Sequence, residues 1–124
     1  MDFETFYNQE GEAVAYADGD GRHIWSFDGE ALGYLDRNGV YNYNGTFCGW
    51  YEGGCLWDLN GDCALFTQQA KKGPVKPVRI ARPARAVKEV RPVKSAKERR
   101  PVRPAHSVNW SKFIGVDVFK GMKG

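Results

Sequence analysis

The stretch "YNYNGTFCGWYEGGCLWDLNG", residues 41–61, contains two Asn-Gly dipeptides whose glycines are sixteen residues apart, each preceded by aromatic residues. Asn-Gly between alternating aromatic residues is typical of a tight β-hairpin turn, because glycine adopts a positive φ at little steric cost. Between the two dipeptides lies a further turn signal, Gly53-Gly54. The stretch therefore predicts short strands that reverse direction repeatedly.

The same pattern occurs four times along the first half of the chain. The units are "FYNQEGEAVAY" (6–16), "IWSFDGEALGY" (24–34), "VYNYNGTFCGW" (40–50) and "LWDLNGDCALF" (56–66), with turn glycines Gly11, Gly29, Gly45 and Gly61. One aromatic residue lies four positions before each glycine and another lies five positions after it: Tyr7, Trp25, Tyr41, Trp57, Tyr16, Tyr34, Trp50 and Phe66. Because a single hairpin is only marginally stable in water, the four hairpins must pack together. We expect these eight rings mainly in the shared core and at its rim, with any role in recognition coming second.

This pattern resembles the four-fold beta flower family of small bacterial proteins. The residues that carry the resemblance are the four units of aromatic–x–x–(Asp/Asn)–Gly–x–x–x–(Ala/Gly)–aromatic, followed by a basic, Pro- and Ala-rich stretch at 71–105 and by Trp110-Ser111. The resemblance implies an all-β fold in which four consecutive β-hairpins surround a pseudo-four-fold axis, as in a flower or a small propeller. It implies no established function.

The second half of the chain has a period of three. Bases recur at every third position: Lys76, Arg79, Arg82, Arg85, Lys88, Arg91, Lys94, Lys97, Arg100 and Arg103. The six prolines occupy a second phase, and the third phase holds valine and alanine, interrupted by Arg99. Three residues per turn is the period of polyproline II, whereas an α-helix would spread these bases around its circumference and the prolines would break it. The sequence predicts an extended, polyproline-like basic tail.

Two interpretations of this tail remain open. It is either a disordered, like-charged chain, or a ribbon whose Val/Ala stripe docks on a protein surface while its bases face acids or solvent. Residues 1–70 offer such an acidic surface, since twelve acids and two bases give them a net charge of −10, whereas residues 71–124 carry +13. The tail is followed by "SVNWSKFIGVDVF" (107–119), whose alternating apolar residues predict a strand-like anchor.

The sequence lacks the residues that an enzyme needs. His23 and His106 stand at no spacing that pairs them with a nucleophile or a metal ligand, and "DGDG" (18–21) lacks the downstream carboxylates of a calcium loop. Cys48, Cys55 and Cys63 have no zinc-type spacing and are expected to be reduced thiols, with one disulfide plus a free thiol as the alternative. We predict no catalytic residues, no metal and no cofactor.

The predicted organisation is an acidic four-hairpin domain (3–69), a basic period-three segment (70–106) and an apolar C-terminal anchor (107–124). The start of the sequence has no secretory signal, so a cytoplasmic location and reduced thiols are expected. The most consistent function is a non-enzymatic binding or scaffold module whose tail docks on its own acidic domain, on a second copy or on a protein partner. The alternative is an accessory protein that binds nucleic-acid phosphates with the ten bases. Sugar binding by exposed rings of Trp25, Trp50 and Trp57 ranks last.

Overall fold

The computed structural model describes residues 4–120 and shows a closed antiparallel β-barrel. Its eight strands are β1 (Thr5–Tyr7), β2 (Ala13–Ala17), β3 (His23–Ser26), β4 (Ala31–Asp36), β5 (Gly39–Tyr41), β6 (Phe47–Glu52), β7 (Cys55–Trp57) and β8 (Cys63–Phe66). Each strand pairs with its neighbours in sequence, and the pair Tyr7↔Phe66 closes the ring between β1 and β8. The predicted all-β fold of four consecutive hairpins is confirmed.

The four hairpins repeat one backbone geometry. The turn glycines Gly11, Gly29, Gly45 and Gly61 have φ angles of 83°, 92°, 85° and 85°, as the hairpin pattern predicts. Every hairpin also contains a bulge at the same place, between residues 6 and 7, 24 and 25, 40 and 41, and 56 and 57. The first hairpin shares this register although it is two residues longer to the next turn glycine. This repetition gives the barrel its pseudo-four-fold symmetry.

A buried polar residue three positions before each glycine supports the turn. These residues are Asn8, Ser26, Asn42 and Asp58, and each accepts a hydrogen bond from the glycine N–H through its backbone carbonyl. Their side-chain oxygens accept further backbone N–H groups of the same turn, as when Asn42 Oδ1 accepts from Asn44 N and Thr46 N at 3.0 Å. Short polar side chains of this kind fold back onto the local backbone in turns. The spacing of the glycines and aromatic residues in the sequence did not identify these four polar residues as part of the repeat.

The centre of the barrel is aliphatic. The residue before the first aromatic of each unit lies in the central cluster, together with small and aliphatic residues of the second strands; these four residues are Phe6, Ile24, Val40 and Leu56. Successive side chains of a strand point to opposite faces, so the neighbouring rings are directed to the outside of the barrel wall.

A short 3-10 helix, η1 (Gly115–Lys120), packs against one end of the barrel, where it contacts β2, β4, β6 and β8. Val118 and Phe119 are buried in the central cluster, and Asn42 Nδ2 donates to the Phe119 carbonyl at 3.1 Å. The predicted strand over 107–119 is therefore wrong, apart from one isolated bridge between Trp110 and Cys63. A 3-10 turn brings consecutive apolar residues onto one surface, which the end of a barrel requires and an alternating strand does not supply. Residues 121–124 of the predicted anchor lie outside the described residues.

Residues 75–107 contain neither helix nor strand. The polyproline II conformation of this segment stays a prediction. We refer to residues 75–107 as the basic segment.

Candidate functional site

The eight repeat-defined aromatic residues form a layer of rings on the outside of the barrel wall. All eight are buried, with 1% to 9% of their surface exposed. They belong to three clusters that are separate from the aliphatic centre: Tyr7, Trp57 and Phe66 in one, Tyr34, Tyr41 and Trp50 in the second, and Tyr16 and Trp25 in the third. The expectation that these rings would share one central core is thus corrected. Each first aromatic is the next residue in its strand after a residue of the central cluster, and neighbouring residues of a strand point to opposite faces.

The backbone of the basic segment is hydrogen-bonded to the hairpin turns at every ninth residue. The turn-glycine carbonyls accept these bonds: Ile80 N–H to Gly11 O (2.8 Å), Glu89 N–H to Gly29 O (2.9 Å), Glu98 N–H to Gly45 O (2.8 Å) and Ser107 N–H to Gly61 O (2.9 Å). Nine residues are three repeats of the period-three pattern, so each hairpin contacts an equivalent position of the segment. Two of the hairpins accept a second bond, from Ala86 N–H to Phe27 O and from Ser95 N–H to Tyr43 O.

The turn glycines also allow the close approach of the basic segment. A Cβ atom at Gly11, Gly29, Gly45 or Gly61 would collide with the carbonyl oxygen of Val78, Val87, Ala96 or Ala105, respectively. These four carbonyls are again nine residues apart. Two requirements therefore favour glycine at the turn: the positive φ of the backbone and the close contact with the basic segment.

Cationic side chains of the segment cover the ring layer. One series with nine-residue spacing lies over the first aromatic of each unit: Arg79 at 5.7 Å from the Tyr7 ring centre, Lys88 at 5.2 Å from Trp25, Lys97 at 5.8 Å from Tyr41, and His106, whose ring stacks on Trp57 at 3.9 Å. A second series places Arg85 at 5.1 Å from the Tyr16 ring and Lys94 at 4.4 Å from Tyr34. Cations at these distances are attracted by the electron-rich faces of the rings.

Lys88 and Lys97 also form ion pairs with carboxylates of the barrel, and the His106 ring lies within hydrogen-bond distance of a third carboxylate. Lys88 Nζ lies 2.8 Å from Asp18, Lys97 Nζ lies 2.8 Å from Asp36, and His106 Nε2 lies 2.9 Å from Glu52. The hydrogen bond from Lys88 lowers the pKa of Asp18, and the hydrogen bond from Lys97 lowers the pKa of Asp36.

Arg100 makes the most extensive contact of any base in the segment. Its guanidinium donates to the Asp36 carbonyl at 2.6 Å, to Asn38 Oδ1 at 2.9 Å and to the Tyr41 hydroxyl at 3.0 Å. It also lies 5.6 Å from the centre of the Phe47 ring. A planar group with five donors suits such a combination of acceptors and rings.

The two glutamates of the segment act as caps for the barrel. Glu89 accepts the Ala31 N–H at 2.6 Å and Glu98 accepts the Phe47 N–H at 2.8 Å. Both N–H donors follow a turn glycine of the barrel by two residues, so the contacts are equivalent. Neither glutamate, nor His106, was among the predicted site residues; their nine-residue spacing from Ile80 and Arg79 is the signal that would have found them.

The Val/Ala stripe faces away from the barrel. Val75, Val78, Val87, Val90, Val93 and Val102 are 87% to 94% exposed. The expectation that this stripe docks on the chain's own barrel is therefore wrong. The bases do face acids, as Lys88 faces Asp18 and Lys97 faces Asp36. The barrel surface is a layer of aromatic rings rimmed by carboxylates, and such a surface attracts cations more strongly than isolated methyl groups.

The remaining predicted bases are placed more variably. Lys76 Nζ donates to the carbonyls of Lys72 and Pro74, just before the basic segment, at 2.6 Å. Arg82 donates to the Thr5 hydroxyl at 3.5 Å, and Arg103 lies 3.3 Å from Glu52. Arg91 remains exposed.

The described residues hold no cluster of side chains suited to metal binding. Over 4–120, no group of three or more His, Cys, Asp or Glu side chains is placed to hold a metal ion. His23 pairs with Asp20 at 2.6 Å; although burial opposes the shift, this hydrogen bond and two backbone N–H donors lower the pKa of Asp20 to about 2. The three cysteines are buried free thiols. No helix within 4–120 is long and apolar enough to cross a membrane.

The comparison with known proteins covers barrel and basic segment together. The family model described as "4-fold beta flower protein" matches residues 4–114. No curated protein and no solved structure matches the chain.

Proposed function

The chain belongs to the 4-fold beta flower family, and from this premise and the geometry above we propose that it is a non-enzymatic protein-interaction module. In this proposal the basic segment binds to the acidic barrel of its own chain and exposes the valine stripe to a protein partner. The observation that carries the proposal is the orientation of the segment: its cations contact the chain's own rings and carboxylates, whereas its valines are exposed.

The first step of the argument concerns the bases. Lys88, Lys97 and Arg100 are engaged by Asp18, Asp36 and the hairpin backbone, and backbone hydrogen bonds anchor the segment at all four turns. Attachment to the same chain raises the effective concentration of the segment at the barrel to about the millimolar range or above. Self-binding is therefore favoured over binding to a separate polyanion.

The second step concerns the valines. A row of valines with about nine-tenths of their surface exposed is costly for a protein without a partner, because exposed contiguous apolar surface promotes association. Charged residues alternate with these valines along the chain, as Lys88 and Arg91 do beside Val87 and Val90. An apolar strip with a polar rim is the usual composition of a protein interface.

The self-binding part of the proposal is tested by limited proteolysis with trypsin. The folded chain is expected to be cut slowly in the Lys/Arg-rich segment at low salt and faster at about 1 M salt, where ion pairs are screened. Immediate cleavage at low salt would contradict self-binding.

The partner-binding part is tested with the triple variant Val87→Ser/Val90→Ser/Val93→Ser. Because these side chains are exposed, the variant should keep the wild-type melting temperature while it loses proteins captured from a cell lysate, or loses self-association in light-scattering measurements. The matched control is Arg91→Gln, which changes an exposed base beside the stripe and leaves the valines intact. Unchanged capture and unchanged mass in the triple variant would contradict the role of the stripe.

Nucleic-acid binding remains the alternative function, carried by the bases that are still accessible, such as Arg91. Fluorescence anisotropy with a labelled single-stranded oligonucleotide at two salt concentrations separates the two functions. Strong, salt-sensitive binding would favour the alternative; no binding at low salt favours the interaction module.

A further inference from the structure

The four hairpins have equivalent backbones but different side chains at one position, seven residues before the turn glycine. The carbonyls at this position accept hydrogen bonds in all four units: Ala17 N–H to Glu4 O (2.8 Å), Leu35 N–H to Arg22 O (2.8 Å), Tyr51 N–H to Asn38 O (2.7 Å) and Thr67 N–H to Gly54 O (2.8 Å). The side chain at this position is a carboxylate in the first unit, a guanidinium in the second and an amide in the third, and the fourth unit has glycine. The charge next to the basic segment therefore differs from one unit to the next.

A cavity of about 390 Å³ lies at this place in the second unit. Its polar lining consists of Arg22, Tyr34, Asp36, Lys94, Ser95 and Lys97. The volume falls within the range of small-molecule sites. Three cations and a single carboxylate line it, and Lys97 already neutralises that carboxylate at 2.8 Å.

Neither Arg22 nor Lys94 forms an ion pair with a carboxylate among residues 4–120. Burial lowers the pKa of Lys94, and the neighbouring positive charges of Arg91, Arg22 and Lys97 lower it further. Asp20 acts on Lys94 in the opposite direction, so the three cations of the cavity face two carboxylates, Asp36 in the lining and Asp20 nearby, which leaves an excess of one positive charge.

The equivalent places in the first and third units are balanced. In the first unit Glu4 replaces Arg22, and Asp18 pairs with Lys88. In the third unit Asn38 replaces Arg22, and Glu52 contacts Arg103 at 3.3 Å and His106 at 2.9 Å. The second unit alone combines a base at this position with two further lysines.

The second unit also holds an unpartnered donor. Tyr34 is 2% exposed, and within the described part of the chain its hydroxyl has no hydrogen-bond partner. A buried hydroxyl without a partner is costly, and Lys94 lies above its ring at 4.4 Å. Trp50 and Phe66, the equivalents in the third and fourth units, carry no hydroxyl. The hydroxyl oxygen is itself buried, so the groups that the cavity offers to a ligand are the cations Arg22 and Lys94.

We propose that Arg22 and Lys94 bind a small anion of the phosphate type, either free phosphate or the phosphoryl group of a small molecule. Guanidinium and ammonium groups form charge-assisted hydrogen bonds to phosphate oxygens. Lys97 remains on Asp36 and prevents that carboxylate from repelling the ligand. The proposal rests on a different site from the valine stripe and stands or falls independently of it.

The test uses the full chain and isothermal titration with inorganic phosphate at constant ionic strength, with chloride as the reference anion. We expect saturable binding of one phosphate per chain. Lys94→Gln should weaken it about 10-fold or more, as expected for the loss of one charge-assisted hydrogen bond. Tyr34→Phe should change it less than about twofold, because the hydroxyl that it removes is buried.

The matched control is Arg85→Gln, which removes the equivalent base nine residues earlier in the segment. It should change phosphate affinity less than about twofold, because the first unit is already balanced by Glu4 and Asp18. Melting temperatures of all three variants verify that they fold, and Tyr34→Phe should melt no lower than the wild type because it removes an unpaired buried hydroxyl. Absence of saturable binding in the wild type, or equal weakening by Arg85→Gln and Lys94→Gln, would overturn the proposal. Titration with pyrophosphate distinguishes free phosphate from a larger ligand, since tighter binding of pyrophosphate indicates that the cavity accommodates a substituted phosphoryl group.

Discussion

The barrel and the basic segment are both periodic, but their backbone N–H and C=O groups find hydrogen-bond partners in different places. The barrel repeats about every sixteen residues and pairs its strands with one another, closing from β1 to β8. The segment repeats every nine residues, contains no strand, and donates its N–H groups to the barrel turns at Ile80, Glu89, Glu98 and Ser107. The barrel therefore specifies its own structure, whereas the position of the segment is specified by the surface beneath it.

The contrast extends to the side chains. The barrel interior holds aliphatic residues such as Ile24 and Leu56, packed against η1 at one end. The interface with the segment instead combines aromatic rings, cations and carboxylates, as at Trp25, Lys88 and Asp18. Burial of apolar surface is insensitive to pH and salt, while ion pairs and cation–ring contacts respond to both. The two regions should consequently respond differently to the same perturbation.

The largest expected effect comes from Gly29→Ala, because the turn glycine belongs to both regions. Its φ of 92° is unfavourable for alanine, and the added Cβ would collide with the Val87 carbonyl. The strain of a positive φ costs about 1–2 kcal/mol, and loss of the Glu89 contacts adds roughly 1–2 kcal/mol. We expect a total loss of about 3 kcal/mol in urea unfolding, with faster tryptic cleavage of the segment.

The control for this variant is Gly21→Ala. Gly21 also has a positive φ, of 68°, but no atom lies within 4 Å of the place that an added Cβ would occupy. It should cost only the conformational strain, about 1–2 kcal/mol, and leave cleavage of the segment unchanged. Equal losses in the two variants would show that the segment contributes nothing at the turn.

The second prediction separates the regions by pH. Hydrogen bonds from Lys88 and Lys97 lower the pKa values of Asp18 and Asp36 in the folded protein. A carboxylate with a lowered folded pKa stabilises the fold above its unfolded pKa, which is 3.8 for these residues, and this stabilisation is lost as the pH falls through the folded pKa. The variant Asp18→Asn/Asp36→Asn should therefore melt below the wild type at pH 5 to 7, and the difference should disappear in more acidic solution.

The side chains of Asp18 and Asp36 are 31% and 37% exposed, so solvent weakens both ion pairs and this effect is expected to be smaller than that of Gly29→Ala. Melting curves recorded from pH 7 downward measure it directly. Glu10→Gln, an exposed carboxylate on the first turn, serves as the control and should produce no such pH-dependent difference. A melting-temperature difference that persists unchanged into the acidic range would assign it to packing rather than to the ion pairs.

The barrel could be predicted from the sequence because its signals are local. Glycine turns such as Asn44-Gly45 and the rings at fixed distances from them define each hairpin without reference to the rest of the chain. The face on which the rings lie was harder to predict, since both strand faces are apolar: Val40 enters the centre and the adjacent Tyr41 lies outside. The period of two in a strand indicates that adjacent residues lie on opposite faces of the sheet. Which of the two faces becomes the interior is determined only when the barrel closes.

The arrangement of the basic segment could be predicted only in part. Its period of three was evident, but the period of nine arises from the distance between barrel turns, which no local pattern contains. Glu89 and Glu98 looked like interruptions of a basic tract, whereas they accept N–H groups of Ala31 and Phe47. The cavity at Arg22 and Lys94 is lined by residues of both the barrel and the basic segment. Its position therefore depends on how the segment lies on the barrel, which the sequence does not indicate.

The smallest effect is expected where the match between the two periods is incomplete. Ile80 donates its N–H to Gly11 as Glu89 does to Gly29 and as Glu98 does to Gly45, yet isoleucine offers no carboxylate to the first hairpin. Ile80→Glu would place an acceptor opposite the N–H two residues after Gly11, and the Ile80 side chain is already 53% exposed, so little apolar burial is lost. A hydrogen bond to a charged acceptor at a half-exposed site contributes roughly 1 kcal/mol, so urea unfolding should show a gain of about that size. Ile80→Gln, which keeps the length and lacks the charge, should gain less. Destabilisation by both variants would mean that the first hairpin differs from the others in its contact with the segment, and that the nine-residue correspondence begins only at the second hairpin.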